Sequence, residues 1–233
     1  MNNKVKEFEI NKEEVLRYLG YRGQEINEEI NEEINNIIEE CRNEVKKLVN
    51  PRYIYKFYNV FRKDNEINIK NSTLVLKGKD IKKHLVFSDT CVLMAATIGS
   101  DVERKINLYE RINLTKALVM DACATTAIEE LCDYIEKEIR DIVRRKCKNL
   151  NFRFSPGYGD LDIEIQKEFI KVIEANKKIG LTASSNNILF PRKSVTAIIG
   201  IINEDKFVKK RRCLECRNYN NCNFRKEGFN CGN

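Results

Sequence analysis

Apolar residues at positions 26, 30, 34, 37, 38, 41, 45 and 48 recur every three to four residues, which is one stripe of a long helix. The Asn-Glu-Glu-Ile repetition between them makes the opposite face acidic, and such a face is usually solvated. Upstream, residues 11–20 (NKEEVLRYLG) read as a short helix, with Asn11 as N-cap and Gly20 as terminator. After Pro51 the period changes. YIYKFYNVF and EINIKNSTLVLKG alternate or run apolar with β-branched and aromatic residues, predicting two or three strands. Gly78-Lys79-Asp80 opens a short helix through Leu85. The apolar run VLMAATIG reads as a buried strand leading into a helix from Ser100-Asp101.

The longest helical pattern covers Thr115–Cys147, with an apolar face of Leu118, Ala122, Thr125, Ile128, Leu131/Cys132, Ile135, Ile139 and Ile142/Val143. A strand at Asn151–Ser155, a turn, a helix near Asp162–Lys177, and paired strands at 180–184 and 194–203 complete the chain. Helices and strands mix without a β-α-β-α rhythm. The expected class is therefore α+β, a mostly antiparallel sheet flanked by long helices. Three regions are expected: a helical region over 1–50, an α+β core over 51–205, and a small Cys-rich C-terminal appendage over 206–233.

With 233 residues, 42% hydrophobic and 33% charged, the chain is long enough to bury a proper core. No apolar run reaches the ~18–20 residues of a membrane span. The opening MNNKVKEFEIN lacks the apolar stretch of an export signal, so the chain reads as cytoplasmic with no membrane partner. The net charge of +7 is concentrated. Lys206 to Asn233 holds eight Lys or Arg against two Glu, and the remainder is close to neutral. Whole-protein nucleic-acid binding therefore has little support, while a local anionic partner fits the tail. Of nine cysteines, Cys41, Cys91, Cys123, Cys132 and Cys147 are scattered through helical or apolar segments and read as reduced packing residues. Four crowd into the tail.

The hexapeptide Arg153-Phe154-Ser155-Pro156-Gly157-Tyr158 carries the main candidate chemistry. Pro156 presets φ at the second turn position, and Gly157 supplies the positive φ that a type II turn needs at the third. This is either an ordinary tight turn or a binding turn, with backbone amides near Gly157 approaching a ligand between a cation and a ring.

RFSPGY, followed by LFPRKSVTAIIGI (189–201), resembles the activation domain of cobalamin-dependent methionine synthase. TTAIEELCDYIEKEI (125–139) is similar to that family's helix before an Arg-x-x-x-Gly-Tyr motif. EVLRYLGYRG (14–23) and VLMAATIGSDVERKI (92–106) resemble free-standing bacterial members. The resemblance covers most of residues 10–203. It implies a twisted antiparallel sheet, S-adenosylmethionine as ligand, and a corrinoid partner, either a cobalamin-binding methionine synthase or another corrinoid methyltransferase.

The ligand's carboxylate suits the fork of Arg153, and its adenine or sulfonium suits the ring of Tyr158. Glu129, which the family comparison places nearby, is either an ammonium partner or a helix-surface glutamate. Ser155 and Ser194 are hydroxyl candidates, or plain turn and strand-edge serines. Ser155, Pro156 and Gly157 form the binding turn. Methyl transfer from a sulfonium to cob(I)alamin is a direct displacement that needs alignment more than acid–base help. No catalytic residue is implied. There is no dinucleotide fingerprint, Walker loop or Asp-x-His-x-x-Gly cobalamin signature, so the cobalamin is expected on a partner protein. The one histidine, His84, reads as a surface residue of a Lys-rich helix. Two departures from the family stand out: Gly159-Asp160 in place of Pro-rich sequence after the turn, and a basic Arg192-Lys193 before Ser194.

The tail spacing is Cys213-x2-Cys216-x5-Cys222-x8-Cys231. Four thiolates hold either an iron–sulfur cluster or zinc. The loose spacing and the need for an electron favour the cluster. Lys209-Lys210-Arg211-Arg212 suit an acidic flavodoxin or ferredoxin as electron donor. A different class also fits a basic tail, a zinc-bearing regulatory or nucleic-acid-binding protein, although interleaved aromatics and a DNA-binding helix pair are missing.

Overall fold

A computed structural model describes residues 9–21, 28–64, 66–203 and 206, with the side chains of all of these except 28–31. Among the described residues, seven α-helices and eight strands run in the order α1 (Lys12–Tyr18), α2 (Glu28–Leu48), β1 (Arg52–Lys63), β2 (Glu66–Ile69), β3 (Val75–Leu76), α3 (Lys79–His84), β4 (Thr90–Thr97), α4 (Asp101–Ile112), α5 (Leu114–Arg144), β5 (Lys148–Leu150), α6 (Gln166–Ile173), α7 (Ala175–Ile179), β6 (Thr182–Ala183), β7 (Leu189–Phe190) and β8 (Ser194–Asn203). Six strands form one antiparallel sheet in the order β3-β2-β1-β4-β8-β5, and β6 pairs with β7 in a separate hairpin. The class is α+β, as the pattern of elements predicts.

β4 reads as an unbroken apolar run because both its faces are covered. Val92, Met94 and Ala96 face the layer of α1, α2, α4 and α5, while Cys91, Leu93 and Ala95 face the layer of α3, α6 and α7. Alternation along the strand thus feeds two separate cores. Fully burying each large side chain of this run is worth roughly 1.5–3 kcal/mol. α5 spans the first layer with Leu131, Cys132, Ile135 and Ile139 fully buried. Asn11 caps α1 by accepting from the Glu13 and Glu14 amides, as expected from its place in the sequence. No described helix is long and apolar enough to cross a membrane.

Several expectations are corrected. Leu118 is 62% exposed and not part of the buried face of α5. The strand at 151–155 is displaced to Lys148–Leu150, because the Asn151 side chain turns inward and its Nδ2 donates to the His84 carbonyl at 2.6 Å. Residues 162–177 form no single helix. A 3-10 turn (Ile163–Ile165) leads into α6, which stops at Glu174 in the left-handed region (φ 61°). Its carboxylate is held there by Lys56 Nζ at 2.6 Å. Residues 180–184 do not pair with 194–203. Thr182–Ala183 folds onto Leu189–Phe190, closed by a Ser184 amide to Ile188 carbonyl bond, and β8 takes its place between β4 and β5.

His84 is 2% exposed, between Phe152 and Phe154, so it is no surface residue. Burial pulls its imidazole down to about 4, with the Ile198 backbone only partly offsetting. Cys41, Cys91, Cys123 and Cys132 are buried as expected, and Cys147 is exposed. Cys213, Cys216, Cys222 and Cys231 lie outside the described residues. Among the described residues no three His, Cys, Asp or Glu side chains are grouped to hold a metal.

Candidate functional site

The chain leaves β5 at Leu150 and runs beside β8 as irregular backbone. It is tied by the Asn151 amide to the Gly200 carbonyl and by a two-way bridge between Phe154 and Ile198 (3.0 and 2.8 Å). Phe154 fills the core under α3 and α6. Alternation then turns Arg153 to the opposite face, toward α5. Its Nη2 donates to Glu129 Oε2 at 3.0 Å and its Nη1 to Asp133 Oδ1 at 2.7 Å, with Glu136 Oε2 3.6 Å from Nη1. These three carboxylates sit at i, i+4 and i+7, one stripe of α5. Glu136 also accepts from Arg140 Nη2 at 2.6 Å, and Arg140 Nη1 donates to Asn149 Oδ1 at 2.7 Å. The guanidinium is therefore held in one orientation by a chain of charge-assisted bonds.

The turn after Arg153 has the expected geometry. The Tyr158 amide donates to the Ser155 carbonyl at 3.0 Å, and Gly157 lies at φ 88°, so Pro156 and Gly157 occupy the second and third positions. The expected free amides are not there. The Gly157 amide donates to the Leu161 carbonyl at 2.9 Å, so the turn satisfies these donors internally. Tyr158 is 61% exposed, its ring edge-on to Phe154.

Asp160 explains the sequence after the turn. Its carboxylate accepts from the Lys79 and Asp80 amides at 2.7 and 3.0 Å, capping α3 and docking the turn on it. Gly78 is required at that junction. It lies at φ 134°, and a Cβ there would stand 2.5 Å from Asp160 Oδ1.

Ser194 begins β8 opposite Thr97, and its hydroxyl donates to the Pro191 carbonyl at 2.7 Å. It stands four residues along the strand from the Phe154 bridge, roughly 13 Å at strand rise. Glu129 and Arg153 are thus in direct contact, the turn residues adjoin them, and Ser194 is committed to its own loop. The basic loop before Ser194 is tied down too. Lys193 Nζ meets Asp121 Oδ1 and Thr125 Oγ1, both at 2.8 Å, and Glu103 accepts from the Arg192 amide. Asp133 and Glu136 were missed from sequence, although their spacing from Glu129 is a helical period that points to the same stripe.

No protein-family model matches the sequence, and no curated protein does. Among solved structures, the fold is similar to a crystal structure of the MetH reactivation domain bound to AdoHcy. The TM-score is 0.57 and the sequence identity 15%, over 87% of this chain and 73% of that one. The two share a fold.

Proposed function

We propose that this chain binds S-adenosylmethionine beside α5 and serves as a reactivation protein for a cobalamin-dependent methionine synthase. The observation that carries the reading is the Arg153–Glu129 pair, which lies just before a type II turn on a fold shared with a domain whose structure holds AdoHcy. An α-amino-acid end needs a cation for its carboxylate and an anion for its ammonium. Arg153 and Glu129 offer both within hydrogen-bond distance of each other, so the ligand inserts by exchanging one ion pair for two. The exposed ring of Tyr158 supplies a face for the adenine or the sulfonium.

The corrinoid belongs to the partner protein, where it supplies a strongly nucleophilic metal for the methyl group. This chain's residues then bind and align the sulfonium, which is what a direct displacement requires. The electron donor is a flavodoxin or ferredoxin. The tail cysteines Cys213, Cys216, Cys222 and Cys231 hold an iron–sulfur cluster or zinc.

Calorimetric titration of anaerobically purified protein with S-adenosylmethionine, with iron, zinc and sulfide assayed on the same sample, tests the reading. Saturable binding is the expected result, and co-purification with a corrinoid protein identifies the partner. Absence of binding, both alone and with a methionine synthase added, would remove the ligand assignment. Zinc without sulfide would move the redox centre to the donor.

A further inference from the structure

The residues on either side of Arg153 are all committed to one histidine. Phe152 and Phe154 both pack on the imidazole of His84, with ring centroids 4.6 and 5.1 Å from it. Asn151 is fastened to the same residue. Its Nδ2 donates to the His84 carbonyl at 2.6 Å and lies 3.1 Å from His84 Nδ1, while its Oδ1 accepts from the Phe152 amide at 2.9 Å. The backbone is pinned at both ends of the stretch, from the Asn151 amide to the Gly200 carbonyl and from the Phe154 amide to the Ile198 carbonyl. With Phe152 and Phe154 held on one face, Arg153 is sent to the other, where α5 lies.

The hydrogen bonds also fix the tautomer. Oδ1 of Asn151 is taken by the Phe152 amide, so the group facing His84 is the NH2 end. Nδ1 therefore accepts, and the ring proton belongs on Nε2. That Nε2 is buried with no hydrogen-bond partner among the described residues. An orphaned donor in a side chain 2% exposed costs the fold. A phenylalanine would pack between Phe152 and Phe154 without that cost. What the histidine offers beyond a phenylalanine is the Nδ1 acceptor for Asn151.

We propose that Asn151 and His84 are positioning residues that aim the Arg153 guanidinium at the carboxylates of α5. That this aim serves a ligand rests on the reading of Arg153 given above. Both residues are buried and act only through Arg153. Without them the 151–154 backbone is free to rotate, and the guanidinium no longer meets Glu129 and Asp133 in one orientation. A planar fork grips a carboxylate through its orientation as much as its charge, so a misaimed Arg153 binds more weakly. The loss cannot exceed that of removing Arg153 itself, and it vanishes when Arg153 is absent.

The test uses the full chain as wild type, Asn151→Leu and His84→Phe, each with and without Arg153→Ala. His84→Phe keeps the ring packing and guards against loss of fold in Asn151→Leu. Two readouts are taken at a temperature where circular dichroism shows the variants folded. One is nitrogen-15 NMR of the arginine guanidinium groups, in which a group held in one orientation gives separate Nη signals. Those that Arg153→Ala removes belong to Arg153. The other is calorimetric titration with S-adenosylmethionine. Both variants are expected to lose the separate Arg153 signals and to bind at least about threefold more weakly, with no further weakening in the Arg153→Ala background. Wild-type signals in both variants, unchanged affinity in both, or a loss that persists without Arg153 overturns the inference and spares the ligand reading. Failure of both variants to fold assigns the pair to stability alone and overturns it too. Failure of the wild type to bind removes the ligand reading, and the guanidinium signals then decide the positioning by themselves.

Discussion

Arg153 and Glu129 are 24 residues apart in sequence and 3.0 Å apart in space, one on irregular backbone beside β8 and the other on α5. Each alone is an ordinary surface charge. Together, with Asp133 closing the other side of the guanidinium at 2.7 Å, they form a fixed constellation of opposite charges.

Arg153→Ala removes the carboxylate partner and leaves Glu129, Asp133 and Glu136 facing one another. S-adenosylmethionine affinity is expected to fall by about 1–3 kcal/mol, the range for a hydrogen bond to a charged group. Calorimetric titration of the variant reads it directly, and an unchanged dissociation constant would take Arg153 out of the site.

Gly157→Ala tests the turn. A Cβ there meets nothing closer than Ile163 Cδ1 at 3.6 Å, so the penalty is in the backbone. An L side chain held at φ 88° costs about 1–2 kcal/mol. The urea midpoint should drop accordingly. A variant as stable as the wild type would show that the turn has relaxed to another type, and ligand affinity would then report the change.

Asp160→Ala strips the carboxylate from the Lys79 and Asp80 amides. A loss of about 1 kcal/mol is expected from the missing cap, together with weaker ligand binding as the turn comes away from α3. Thermal melts and titration on one preparation separate the two effects. Lost stability with full affinity would mean that the turn holds its shape without α3.

Acid should destabilise the fold through His84. Its imidazole is pulled down to about 4 by burial, below the ordinary 6.5, and its ring neighbours Asn151, Phe152 and Phe154 carry no charge. The unfolded chain therefore takes up a proton as pH falls through 6.5 while the native one does not. The stability is complete above about pH 6.5 and is lost progressively down to about pH 4, by roughly 3 kcal/mol in all. Denaturant midpoints between pH 7 and 4 show the loss. His84→Gln should flatten the curve over that window, and an unaltered slope in the variant would assign the effect to carboxylates.

Much of the fold was legible in the chain because it is written in local periods. The stripe of α2, the long α5, the alternation of β1 and the cap at Asn11 all follow from residues within a few positions of one another, whereas Ser100 precedes α4 without a side-chain cap bond. The type II turn at Ser155–Tyr158 was legible for the same reason, since Pro156 and Gly157 carry the dihedral preferences themselves. Long-range competition was not legible. Asn151 could extend a strand, and it instead bonds to His84 from 67 residues away, shifting β5 and burying a histidine that sits among lysines. Glu174 carries no helix-breaking signal, and it stops α6 where Lys56 of β1 waits for its carboxylate. The sequence by itself thus determined the long helices, the central strands and the tight turn, and which residues carry charge. Which charges meet was decided by the tertiary structure alone. Arg153 finds Glu129, Asp133 and Glu136 only when β8 packs against α5, because a Coulomb contact depends on distance in space and the chain records only distance along itself.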